Sequence, residues 1–293
     1  MAVLGSPRRS CCGGGGGGGK ASSVRRGRGD DRSLVVTAHP DDESLFFLPA
    51  AFVLANSGID ENEGHAVHLL CFSTGDYQCR GRARCRELRH CCNCVLGIDS
   101  RIYLRVVNHP ALQDGPGTVW DTAAAARCIE QYLCDIATFE YARPNCNAQG
   151  SALCWQVINF DDLGASGHPN HTASHDAAAL FDCMHAWLRR DRACFCGAIT
   201  RFYEVGSALA SQIFWGASSF VRRLLKGEHF PCAAANPDAV GVIKGNIITG
   251  ALAMATHKTQ WVWYRKLQSL ATSASPLFFT RRMPTSDVER NGP

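Results

Sequence analysis

From Ser33 onward, short apolar runs rich in β-branched residues alternate with longer stretches of helical periodicity, and this alternation confines the chain to a layered α/β architecture. Residues 34–37, 67–72, 102–107, 156–160 and 199–205 read as strands. The first is continuously apolar, as a strand covered on both faces must be. Between them, residues 45–56, 82–96, 122–139 and 171–190 repeat apolar side chains at three and four positions, which is one face of a helix. Parallel neighbours need a crossover connection, so a Rossmann-like, mostly parallel sheet with helices on both faces is expected. Residues 249–270 read as one further helix ending before Pro276, and the chain from about Arg281 is expected to fray.

Residues 33–293 are long enough for one large domain with a substantial core. Residues 1–32 differ: seven consecutive glycines, scattered arginines and almost no large apolar side chain cannot offset the entropy of ordering, so a disordered tail is expected. Residues 143–151, rich in Asn, Gly and Pro, read as a surface insertion. The tail also explains the net charge of +4, because it holds 7 of the 30 Lys+Arg and 2 of the 26 Asp+Glu. The remainder is nearly neutral, which argues against a nucleic-acid surface.

The 16 cysteines are read as reduced thiols, since no apolar leader with a cleavage site precedes the domain and no CxxC pair has zinc-ribbon spacing. No stretch reaches the ~20 apolar residues of a membrane span. Residues 205–221 are uncharged but rich in Ser and Gly, and read as a packed helix or as a segment dipping into lipid.

Two polar runs follow expected strands. Residues 38–43 read Ala-His-Pro-Asp-Asp-Glu, and residues 167–171 read Gly-His-Pro-Asn-His. Open α/β sheets bind ligands at the carboxyl ends of their strands, where both runs lie. A catalytic zinc site takes three ligands from His and carboxylate and leaves a position open, and His39, Asp42 and His171 can supply that set. His39 and Asp42 are three residues apart on a turn, leaving Asp41 between them as a carboxylate for proton transfer. His168 and His171 are also three apart, so one can ligate while the other faces the substrate as an imidazolium beside a developing oxyanion. His175, four residues beyond His171, is a rival third ligand.

The two runs together resemble the LmbE-like zinc de-N-acetylases, and among them the eukaryotic N-acetylglucosaminyl-phosphatidylinositol de-N-acetylases of GPI-anchor biosynthesis. The likeness extends through residues 70–75, Arg84 with Glu87-Leu88, residues 95–98, Val119-Trp120-Asp121 and Phe160-Asp161, to residues 257–260 and 263–265. It implies His39, Asp42 and His171 as ligands of Zn2+, with other divalent metals able to occupy such a set. It also implies Asp41 as general base, His168 as the electrophilic partner of the tetrahedral intermediate, and Arg84 at the substrate mouth, holding phosphate or sugar hydroxyls. The implied substrate is a glycolipid at a membrane surface, and the implied place is the cytoplasmic face of the endoplasmic reticulum membrane.

Three departures stand out. The family often has an aspartate after its third strand, where this chain places Asn108, and the loop at residues 143–151 is longer than usual. Eukaryotic members carry an N-terminal membrane anchor, where this chain has the Gly/Arg tail. Residues 205–221 and the cluster at 261–264 are therefore the expected interfacial contacts. Glu43 is expected to orient His39 or to cap the following helix, and for His257 a helix-packing role stands beside a functional one. A soluble de-N-acetylase of a sugar conjugate, and a binding protein that merely keeps the fold, are the competing readings.

Overall fold

The structure, a computed structural model, describes residues 31–47, 66–101, 103–115, 117–141, 154–191, 198–205, 239–243, 247–262, 265–266 and 277–281. Seven strands form one sheet: β1 (Asp31–Thr37), β2 (Ala66–Cys71), β3 (Leu104–Val106), β4 (Cys154–Phe160), β5 (Ala198–Val205), β6 (Ala239–Ile243) and β7 (Leu277–Arg281). Their spatial order is β3-β2-β1-β4-β5-β7-β6. The first five run parallel, while β7 is antiparallel to both β5 and β6. This is the expected α/β fold, with an antiparallel edge added by two strands that the periodicity did not reveal.

Leu34, Val35 and Val36 are fully buried because β1 is central, with Val35 in register with Leu69 on one side and Ile158 on the other. The strand begins at Asp31, earlier than the boundary expected at Ser33, since Arg32 pairs with Ala66 and Trp155. Residues 1–30 and the expected insertion at 143–151 lie outside the described residues.

The helices are α1 (Gly81–Cys91), α2 (Thr122–Tyr141), α3 (Pro169–Asp191) and α4 (Ile247–Thr256). A short π-helical turn, Glu43–Phe47, follows β1, and another, Cys92–Leu96, continues α1 until Gly97 ends it in the left-handed region. Right-handed crossovers fix the sides of the described helices: α1, between β2 and β3, lies on one face, and α2 and α3, between β3, β4 and β5, on the other. The packing agrees, with α1 against α4 and α2 against α3. The strand order reverses between β1 and β4, and a crevice opens at that switch point beyond their carboxyl ends.

The helix expected over residues 249–270 ends at Thr256 instead. His257 leaves helical geometry (φ −84°, ψ 66°), and a 3-10 turn, Lys258–Gln260, redirects the chain toward the crevice. A tertiary bond to His257, described below, overrides the periodicity that favoured a longer helix. Among the described residues no helix is long and apolar enough to cross a membrane. Of the expected interfacial contacts, residues 206–221 and 263–264 lie outside the described residues. Cys71, Cys85, Cys91, Cys92 and Cys94 are free thiols, and burial pushes those of Cys71 and Cys92 upward, as befits packing side chains.

Candidate active site

Both polar runs meet in one cavity of about 300 Å3 at the β1/β4 switch point. His39, Asp41 and Asp42 reach it from the turn after β1, and His168 and His171 from the start of α3. Adjacent parallel strands place the two turns side by side, which is why runs so far apart in sequence can share a ligand.

The β1 turn is built by Asp42. Its Oδ2 accepts the N–H groups of Ala38 (3.0 Å) and His39 (2.7 Å), folding the turn around its own carboxylate. Oδ1 lies 3.2 Å from His171 Nε2. The His171 Nδ1–H donates to the Gly164 carbonyl at 2.9 Å, because a carbonyl can only accept. That bond directs Nε2 at Asp42, and the ring stacks on Phe160 with centroids 4.3 Å apart. Two electron-rich atoms thus face one another, and a cation is what reconciles them. With a proton in that place, burial would raise Asp42 and lower His171, but their mutual attraction wins: Asp42 falls well below the usual carboxylate range and His171 rises.

His39, His168 and His171 each bring one ring nitrogen within 4.8 Å of the others'. Their hydrogen bonds divide them. His168 Nδ1 accepts the Asn170 N–H at 3.2 Å, so the neutral ring carries its proton on Nε2 and is a donor there. Burial, then His39 and His171, push the His168 pKa down, which favours that neutral ring over the expected imidazolium. His39 Nε2 meets Asn170 Nδ2 at 3.0 Å and Asp114 Oδ1 at 3.1 Å, and its Nδ1 is 3.7 Å from Asp42. His39, His168 and His171 are thus the grouping here that could hold a divalent ion, with the Asp42 carboxylate 3.2 Å from His171 Nε2 beside it and an outer bond at His171 of the kind that orients metal ligands. His175 pairs with Asp176 at 3.1 Å and does not line the cavity.

Gly164 makes the His171 bond possible. Its φ is +63°, and a Cβ there would stand 2.9 Å from His171 Cβ and 2.8 Å from the Thr172 amide. Gly164→Ala is expected to tilt the His171 ring and to weaken metal binding roughly 10–100-fold, the usual cost of losing an outer partner. Titration with a chromophoric chelator checks it, and undiminished affinity would refute the assigned role.

Asp41 is buried and adopts φ +113°. An aspartate in that region carries strain of roughly 1–3 kcal/mol and persists only where its surroundings over-determine it. Arg84 Nη2 bonds Asp41 Oδ1 at 2.9 Å, and Arg265 pairs with Oδ2. A carboxylate offers about four acceptor sites, so two guanidiniums leave room for a water.

Arg84 lines the cavity as expected, but its guanidinium is engaged by the protein. Residues 84, 88 and 91 share the inward stripe of α1, so the side chain is buried. Its Nη atoms bond Gly75 O (3.0 Å), Pro40 O (2.7 Å), Asp41, and Asp114 Oδ2 (3.4 Å). It ties three loops at the wall of the cavity, so most of the guanidinium is already engaged by protein acceptors. Gly75 (φ +68°) permits this, since any Cβ there would occupy the space of the guanidinium.

Sequence reasoning missed Asp114 and Arg265. Asn108 is exposed, whereas Asp114, further along the segment after β3, faces His39 and Arg84. Burial would raise its pKa, but the His39 bond and Arg84 lower it. Trp120 Nε1–H donates to the Gln113 carbonyl at 2.9 Å and holds that loop. An aspartate after the third strand was the available signal, and only the path of the loop shows which residue answers it. Arg265 stood within the shared terminal motif at 263–265, which gave it no role.

A family profile described as GlcNAc-PI de-N-acetylase matches residues 34–181. The N-acetylglucosaminyl-phosphatidylinositol de-N-acetylase of Bos taurus is 31% identical over 244 residues, covering 83% of this chain and 79% of the relative. That of Saccharomyces cerevisiae is 24% identical over 253 residues, covering 81% and 76%. A probable member from Schizosaccharomyces pombe is 36% identical over 145 residues, covering 50% and 49%.

Proposed function

Since the chain belongs to the GlcNAc-PI de-N-acetylase family, we propose that it hydrolyses the acetamide of N-acetylglucosaminyl-phosphatidylinositol to acetate and the free amine, with Zn2+ held by His39, Asp42 and His171. The observation that carries this reading is the meeting of Asp41, Asp42, His39, His168 and His171 in one cavity at the switch point, with a nitrogen of each of the three histidines close enough together to share an ion.

Lewis acidity toward the acetamide and its attacking water is the chemistry such an ion supplies when bound. Asp41 takes the proton of that water as the oxygen adds to the carbonyl carbon. His168 donates from Nε2–H to the oxygen of the tetrahedral intermediate, a role that suits a neutral ring whose Nδ1 is already occupied. Asp41 then returns its proton to the nitrogen as the C–N bond breaks, so acetate and amine leave with the base regenerated. Asp114, next to His39 and Arg84 and half-buried at the cavity, is placed to accept a hydrogen bond from a sugar hydroxyl. The same proposal puts the reaction at the cytoplasmic face of the endoplasmic reticulum membrane, by likeness to the family.

Acetate release from synthetic N-acetylglucosaminyl-phosphatidylinositol is expected, to vanish with chelator and to return with Zn2+. Turnover that persists in chelator would overturn the metal assignment. Equal kcat/KM on a lipid-free N-acetylglucosamine conjugate would replace the glycolipid reading with that of a soluble deacetylase.

A further inference from the structure

A buried bridge joins the Asp41 turn to a residue more than 200 positions away. Glu43 is fully buried, and its Oε2 accepts the Asp41 N–H at 3.0 Å. Its Oε1 accepts from His257 Nε2 at 2.6 Å and from the Ser44 hydroxyl at 2.6 Å. His257 is also fully buried, just beyond α4, and Glu43 has no bond to His39. Glu43, Cys91 and His257 place three ligand-competent atoms within 4.8 Å of one another. A direct 2.6 Å bond between carboxylate and imidazole leaves no space for an ion there, so the cluster is a hydrogen-bonded strut.

The strut ends on the one backbone N–H whose direction is set by the unfavourable φ of Asp41. Side-chain restraint on Asp41 comes from Arg84 and Arg265, but neither guanidinium fixes φ. Glu43 does, because its bond is to the amide itself, and Glu43 in turn is held by His257. We infer that His257 is a positioning residue: through Glu43 it keeps the Asp41 backbone in the left-handed half of conformational space, so that the carboxylate enters the cavity. Burial alone would lower the His257 pKa, yet Glu43 and Cys91 carry it up to about 10, so the imidazole can donate from both ring nitrogens at neutral pH.

This inference rests on the assignment of Asp41 as base, and its test separates the two. His257→Leu and His257→Gln are prepared, the second keeping an N–H donor. In His257→Leu, kcat on the glycolipid is expected to fall by about 100-fold, the cost of a small misplacement of a reacting group, with KM and zinc content unchanged. His257→Gln is expected to recover a large part of that loss. A crystal structure of either variant reads φ of Asp41 directly, independent of activity, and a departure from the positive region is expected in His257→Leu. Should the leucine variant fail to fold, the glutamine variant alone is expected to lower kcat by about 10-fold at constant KM and zinc content. Unchanged kcat, a change in KM and zinc content parallel to that in kcat, or an Asp41 φ unaltered in His257→Leu overturns the inference. A wild-type protein without turnover would overturn the proposed function instead, and the Asp41 φ would still decide on the strut.

Discussion

Asp41→Asn is expected to lower kcat for acetate release by about 100-fold to 10,000-fold, the range that general acid–base catalysis contributes, while zinc content stays at the wild-type level. Asparagine is the informative replacement because it tolerates positive φ better than alanine and keeps the volume of the buried turn. What it loses is the ability to take a proton from water. It also withdraws a counter-charge from Arg84 and Arg265. An abandoned buried charge can cost ~3–5 kcal/mol of stability. The cost here is expected to be smaller, since Arg84 keeps Pro40, Gly75 and Asp114. Metal stoichiometry by atomic absorption, alongside turnover, checks the result. Turnover within about 10-fold of wild type, well short of the loss expected for a missing base, would remove Asp41 from the chemistry.

His171→Ala is expected to do the opposite: the metal leaves, and activity goes with it. The imidazole supplies one of three ligands and also a stack on Phe160 and the bond to Gly164. Its loss leaves Asp42 Oδ1 buried against a void. Affinity is expected to fall by more than the roughly 10–100-fold that follows removal of an outer partner, because a ligand itself is lost. Zinc retained after dialysis against a competing chelator would sink the ligand assignment. Equal zinc loss in Asp41→Asn and His171→Ala would sink the division of labour between base and ligands.

Much of this site was legible in the primary structure because its chemistry is local. His39, Asp41 and Asp42 lie within four residues of one another, and His168 and His171 within four, so any turn after a strand clusters them. Arg84 was legible as a residue of the site but not in its bonding. The burial of a guanidinium depends on acceptors from Pro40, Gly75, Asp41 and Asp114, and no local pattern records such a convergence. Glu43 was adjacent to the motif, yet its true partners are the Asp41 amide and His257. The shortening of α4 has the same origin: a periodicity of 3.6 describes what a helix can bury, and one strong buried bond at His257 outweighed it.

Strand and helix alternation, the metal-competent residue types and the family were determined by the sequence itself, because each rests on short-range spacing and on residue chemistry. The tertiary structure decided which nitrogen of each histidine is occupied, which aspartate after β3 enters the cavity, and how Asp41 is held. Those depend on backbone carbonyls and amides brought together by the reversal of strand order between β1 and β4. Such groups are the same in every residue, so their directions are set by the fold and leave no mark in the order of side chains.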